Sequence, residues 1–204
     1  MIVKICGMKT EEAALAAEAA GADLLGFIFY KDSRRYVAPE RVKEISAGIS
    51  HSRKVGVFVD APISEVNEIA EFCGLDYVQL HGHEDEAYAR QVARPVIKAY
   101  RYGDNFKAEE AEQYPAELIL LDSFVKGEAG GTGKTFAWQE ASREVAGLGK
   151  PLLVAGGISE ENLSEVVATF HPYGVDVSGS LEEQGEKSVR LITSFLREAE
   201  RWRG

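Results

Sequence analysis

The chain has 204 residues, 45% of them hydrophobic, with a formal net charge of -10 and an isoelectric point near 5.0. That length allows a sizeable core, and the acidic balance excludes a sequence-independent hold on nucleic acid, which needs clustered Lys and Arg. No apolar run is long enough for a membrane span, no basic and apolar leader opens the chain, and Cys6 and Cys73 lack CxxC spacing, so a cytoplasmic protein with no membrane partner, disulfide framework or zinc site is expected.

The first element is the apolar strand Val3-Lys4-Ile5-Cys6, which hands a thiol to Gly7. Alternate strand residues share a face, so Lys4 and Cys6 point one way, and Gly7 allows the tight exit that a positive φ gives. Thr10-Glu11-Glu12 then supplies a cap and an acidic first turn for an alanine-rich helix. Similar units recur about every 25 residues. Apolar runs at 24–29, 54–59, 77–80, 95–99, 118–121, 151–155 and 175–177 predict seven further strands, and helical patterns fall at 39–47, 62–72, 84–92, 106–113, 136–146, 159–168 and 187–201. Near-continuous apolar strands alternating with helices read as parallel and covered. Eight such units in this length predict an α/β fold with one domain over 1–204, a (β/α)8 TIM barrel, rather than an open doubly wound sheet. The longest irregular stretch, 123–135, is rich in glycine and reads as a lid over a site.

A barrel carries its chemistry at the carboxyl ends of its strands, and here those ends are polar. Strand one ends in Cys6, strand four in His81 and strand six in Asp122, while strands seven and eight run into Gly156-Gly157 and Ser178-Gly179-Ser180. A cysteine in an apolar strand is ordinarily packing, but its place before a terminal glycine favours a chemical role. The turns after strands seven and eight, the first expected to open a helix at Ser159, suit a phosphate through unpaired amides. Gly133-Lys134-Thr135 ends like a P-loop, yet position 128, where that motif needs glycine, is Glu128. His81 and His83 have no third ligand in the sequence pattern, so no metal is assigned. Arg34-Arg35 lies in the loop after strand two, where a guanidinium fork could hold a carboxylate or simply face solvent.

Taken in order, Lys4-Ile5-Cys6-Gly7, Gly26-Phe27-Ile28-Phe29, Ser33-x-Arg35-Tyr36-Val37, Val55-Gly56-Val57-Phe58-Val59, Val78-Gln79-Leu80-His81-Gly82, Leu121-Asp122, Gly130-Gly131-Thr132-Gly133 and Ala155-Gly156-Gly157 resemble the phosphoribosylanthranilate isomerase family over the full length. The resemblance implies a cofactor-free Amadori rearrangement of a phosphorylated small molecule in tryptophan biosynthesis. It implies Cys6 as general base, Asp122 as general acid and Arg35 as partner of the anthranilate carboxylate. His81, Gly156, Gly157, Ser178, Gly179 and Ser180 complete the substrate-binding set. Another sugar-phosphate barrel enzyme and a non-catalytic phosphate binder are the alternatives. The chain departs from the family at Ser178-Gly179-Ser180, where relatives read Ser-Ser-Gly, so a serine occupies a position expected to favour glycine. Strand phase further predicts that Lys4 points into the barrel and pairs with Asp176. Scarce Asn and Met beside abundant Glu and Arg hint at a thermophilic source, under which a homodimer is the expected partner state.

Overall fold

The computed structural model describes residues 1–103, 106–122 and 134–203. Eight parallel strands close into a barrel: β1 (Ile2–Cys6), β2 (Leu24–Ile28), β3 (Arg53–Phe58), β4 (Tyr77–Leu80), β5 (Val96–Arg101), β6 (Leu118–Asp122), β7 (Leu152–Ala155) and β8 (Gly174–Val177). Between and after them, among the described residues, come α1 (Glu11–Ala19), α2 (Pro39–Ser46), α3 (Ile63–Phe72), α4 (Glu86–Ala89), α5 (Ala108–Gln113), α6 (Lys134–Val145), α7 (Leu163–Phe170) and α8 (Val189–Ala199). Each strand pairs with its sequence neighbours, and β8 returns to β1 with Lys4 opposite Asp176. Among the described residues no helix is long and apolar enough to cross a membrane.

The alternation along the strands divides the core in two. Leu24, Val55, Ile97, Leu118, Leu120 and Leu153 point inward and fill the barrel, whereas Val3, Ile5, Leu25, Phe27, Ile119 and Val175 point outward and pack under the helices. Lys4 lies on the inward face and is wholly buried, with Nζ 2.9 Å from Asp176 Oδ1, as strand phase predicted. A buried ammonium is tolerable because that carboxylate compensates it.

Local signals explain most boundaries. Thr10 accepts from the amide of Ala13 at the start of α1, and Gly7 leaves β1 at φ +86, its amide and that of Met8 both donating to Gly26 O at 2.9 Å. Two expected helices differ. The pattern at 84–92 forms only the single turn α4, because Glu84 is drawn inward, accepting from the amides of Asp60 (2.9 Å) and Gly82 (3.0 Å) and from Lys98 Nζ (2.8 Å). The helix expected to open at Ser159 begins instead at Leu163. Asn162 holds the intervening turn, its Oδ1 accepting from Ser159 N at 2.8 Å and its Nδ2 donating to Gly157 O at 2.9 Å. Most of the expected lid, 123–133, lies outside the described residues.

Candidate active site

The mouth of the barrel at the strand carboxyl ends gathers the residues that the sequence singled out. Cys6 is the last inward residue of β1 and is buried, with Gly26 of β2 beside it. A Cβ on Gly26 would stand 2.9 Å from Cys6 Sγ and 3.2 Å from Lys4 Nζ, so the missing side chain is the space into which the thiol and ammonium both project. Burial pushes the Cys6 thiol up from its ordinary value; the charge of Lys4 opposes this, Asp176 adds to it, and Lys187 again opposes it. Lys4 keeps its proton firmly, since Asp176 and Cys6 outweigh the burial that would lower it.

Asp122 closes the inward face of β6, half-buried, in register with Arg101 on one side and Ala155 on the other. Strand β5 runs two residues beyond its expected end, and this extension carries Arg101 to the mouth. Among the described residues Arg101 has no hydrogen-bond or ion-pair partner. His81 follows β4, with Gln79 Nε2 3.0 Å from its Nδ1. Burial, helped by the charges of Lys4, Arg101 and Lys98, lowers the His81 pKa to about 4, so the ring is neutral at pH 7. With Gln79 donating to Nδ1, the ring proton sits on Nε2. His83, the other half of the possible metal pair, instead faces solvent and meets Asp60 at 3.1 Å.

Arg35 sits at the opposite rim, and its side chain is already engaged. Its Nε donates to Glu182 Oε1 at 2.5 Å and its Nη2 to Glu182 Oε2 at 3.3 Å. Glu182 also accepts from Arg34 Nη2 at 2.6 Å and Lys187 Nζ at 2.9 Å. Burial alone raises such a carboxyl, but hydrogen bonds from Arg35 and Lys187 pull Glu182 down to about 2. Glu182 and Lys187, which follow β8, are not among the residues that the sequence singles out. Their partner Arg35 stands almost 150 positions away in the chain, so only the fold makes the pairing visible.

The two small-residue turns lie side by side. Gly156 and Gly157 take φ +96 and +66, the left-handed backbone that favours glycine. Gly179–Leu181 form one 3₁₀ turn, and among the described residues the amides of Gly179 and Ser180 have no acceptor. Neither Ser178 nor Ser180 takes a positive φ, so the serine at 180 does not meet the left-handed backbone that favours glycine. Both hydroxyls donate within the scaffold, Ser178 Oγ to Cys6 O at 2.9 Å and Ser180 Oγ to Ile158 O at 2.6 Å. The latter bond ties the turn after β8 to the turn after β7. The site thus offers a buried thiol, a carboxylate, a neutral imidazole, a fixed guanidinium and open amides around one mouth.

Comparison with known proteins gives this arrangement its context. A family model described as N-(5'-phosphoribosyl)anthranilate isomerase matches residues 3–198. The isomerase of that name from Desulforamulus reducens is 44% identical over 96% of this chain and 93% of its own length, and that from Geobacter metallireducens is 42% identical over 97% and 98%. Among solved structures, the Thermus thermophilus phosphoribosylanthranilate isomerase superposes with a TM-score of 0.86, at 36% identity and covering 100% of both chains. Another, at TM-score 0.82, 32% identity and coverage of 98% and 100%, holds reduced 1-(o-carboxyphenylamino)-1-deoxyribulose 5-phosphate. With a family model spanning nearly the whole chain and relatives above 40% identity over nearly the full length of both chains, this chain belongs to the N-(5'-phosphoribosyl)anthranilate isomerase family, the cofactor-independent isomerases of tryptophan biosynthesis.

Proposed function

We propose that Cys6 is the general base and Asp122 the general acid in converting N-(5'-phosphoribosyl)anthranilate to 1-(2-carboxyphenylamino)-1-deoxyribulose 5-phosphate. Asp122 gives its proton to the furanose ring oxygen, and the bond from that oxygen to C1 breaks as the anilino nitrogen's lone pair forms C1=N. The Cys6 thiolate then takes the proton from C2. The released electron pair forms C1=C2, neutralises the iminium and leaves an enolamine that tautomerises to the ketone. One proton leaves Asp122 and one arrives at Cys6, so the pair is reset by a single net proton transfer.

The observation that carries this reading is the shared end of the barrel: Cys6 and Asp122 are the terminal inward residues of β1 and β6. Arg35 takes the anthranilate carboxylate, the turns at Gly156-Gly157 and Ser178-Gly179-Ser180 take the phosphate, and the neutral Nε2–H of His81 donates to a sugar oxygen. A relative's hold on a reduced carboxyphenylamino sugar phosphate supports a ligand of that size and charge. Cys6→Ser is expected to lose most of kcat with little change in KM, since a hydroxyl fills the same space but is a poorer base. Asp122→Asn should be comparably damaging, because an amide cannot supply the ring-opening proton. Loss of substrate fluorescence with freshly made substrate measures both, and a Cys6→Ala variant with near-normal kcat overturns the assignment. A homodimer is the proposed assembly, supported by the Thermotoga maritima relative described as dimeric, and sedimentation equilibrium tests it.

A further inference from the structure

We propose that Glu182 is the positioning residue for recognition of the substrate's aromatic carboxylate, aiming Arg35 at a group that Glu182 itself does not touch. The inference rests on reading Arg35 as the carboxylate partner and adds how that guanidinium is held.

Glu182 engages one particular edge of Arg35. A guanidinium has five N–H groups, and the contacts at Nε and Nη2 occupy the side edge. The end edge, formed by Nη1 and the second N–H of Nη2, has no acceptor among the described residues. That edge is the planar fork whose geometry matches a carboxylate with two parallel hydrogen bonds. The aliphatic part of the side chain is guided as well. A Cβ on Gly7 would stand 2.6 Å from Arg35 Cδ, and one on Gly179 would stand 3.4 Å from Arg35 Nη2. The arginine therefore runs between the turn after β1 and the turn after β8, and Glu182 fixes its far end.

The other cations around Glu182 have different duties. Lys187 is buried, and its three N–H groups are accounted for by Glu182 Oε1, Ser178 O and Ser178 Oγ at 2.9, 3.1 and 3.4 Å. It anchors Glu182 to Ser178, just after β8, and has nothing left for a ligand. Arg34 reaches Glu182 from solvent, its side chain 60% exposed. With four donors on two oxygens, Glu182 is saturated and held from three sides, so it makes a stiff support for Arg35.

Two ligands separate positioning from simple charge balance. One is reduced 1-(o-carboxyphenylamino)-1-deoxyribulose 5-phosphate, and the other is the same molecule without the ring carboxylate. Their Kd ratio, measured by titration calorimetry, reports the carboxylate contact alone. Arg35→Met is expected to cut this ratio by roughly 10- to 100-fold, the worth of a charge-assisted contact. Glu182→Gln should cut it at least about tenfold while leaving the Kd of the carboxylate-free ligand within about twofold, which also reports an intact fold and phosphate site. Glu182→Asp, which keeps the charge but withdraws it by one methylene, should fall between Glu182→Gln and wild type and serves if Glu182→Gln does not fold. If Glu182 acted only by neutralising charge, Glu182→Gln would bind both ligands more tightly, and that result overturns the proposal. An unchanged ratio in Glu182→Gln beside a collapsed ratio in Arg35→Met overturns it too. An unchanged ratio in Arg35→Met removes Arg35 as the carboxylate partner, and the inference with it.

Discussion

A thiol closed off from water holds its proton, and at Cys6 burial outweighs the help of Lys4 and Lys187. A base must be unprotonated to act, so kcat/KM is expected to climb with pH past the ordinary thiol value of about 8.5 rather than level off below it. Removing the buried charge with Lys4→Gln should move this rising limb further up, by roughly 1–3 pH units, the usual effect of one close charge. A limb unmoved in that variant would mean that Lys4 serves the fold alone. His81 should leave no mark near pH 6.5 in the same profile, because its ring is neutral down to about 4. Its effect belongs to stability instead. Between about pH 4 and 6.5 the unfolded chain binds a proton that the folded site refuses, so stability rises with pH across that window by up to about 1.4 kcal/mol per unit. Urea unfolding at pH 5 and pH 7, with His81→Asn as the reference, checks the sign. The strand phase made Lys4 and Cys6 legible in the sequence as neighbours on one face, since alternation is local. The raised thiol was not legible, because it depends on burial by strands distant in the chain.

At the scale of elements, the segments that depart from expectation are those where a side chain left its own helix to serve a neighbour. Glu84 fits a helical pattern, but its carboxylate is worth more beneath the turn, where it joins Lys98 on β5 to the amides of Asp60 and Gly82. Tyr114 seals the pair by donating to Glu84 O at 2.9 Å. Lys98 and Glu84 side chains are 5% and 2% exposed, so truncating one strands the other without water. Lys98→Met is therefore expected to destabilise the fold by about 3–5 kcal/mol. Adding Glu84→Gln should recover much of the loss, because an amide oxygen is neutral and still accepts from Asp60 and Gly82. Denaturant midpoints of the two variants settle the matter, and equal losses in both would deny the charge a part. The same reasoning explains α7, where Asn162 spends its amide on the turn at Gly157–Ser159 and delays the helix. Sequence periodicity reports which face is apolar; it does not report a polar side chain's better offer elsewhere.

At the scale of the whole molecule, eight strand-helix units were legible because every strand repeats the same apolar run, and the barrel follows from their number. The clamp at Glu182 was not, since three of its four hydrogen bonds join the loop after β2 to the segment after β8. One feature of that closure reaches beyond the finished fold. The ladder between β1 and β8 joins residues such as Lys4 and Asp176, 172 positions apart, and contacts of such separation carry the largest loop-closure cost during folding. The seam between β1 and β8 is therefore expected to close late, after most of the sheet, including the local β1–β2 pair, is assembled. Until it closes, Cys6 remains open to solvent from the unsealed barrel, so the thiol keeps time for the last step of refolding. In a Cys73→Ala background, a pulse of iodoacetamide at successive refolding times should label Cys6 long after the secondary-structure signal has recovered, and protection should arrive together with activity.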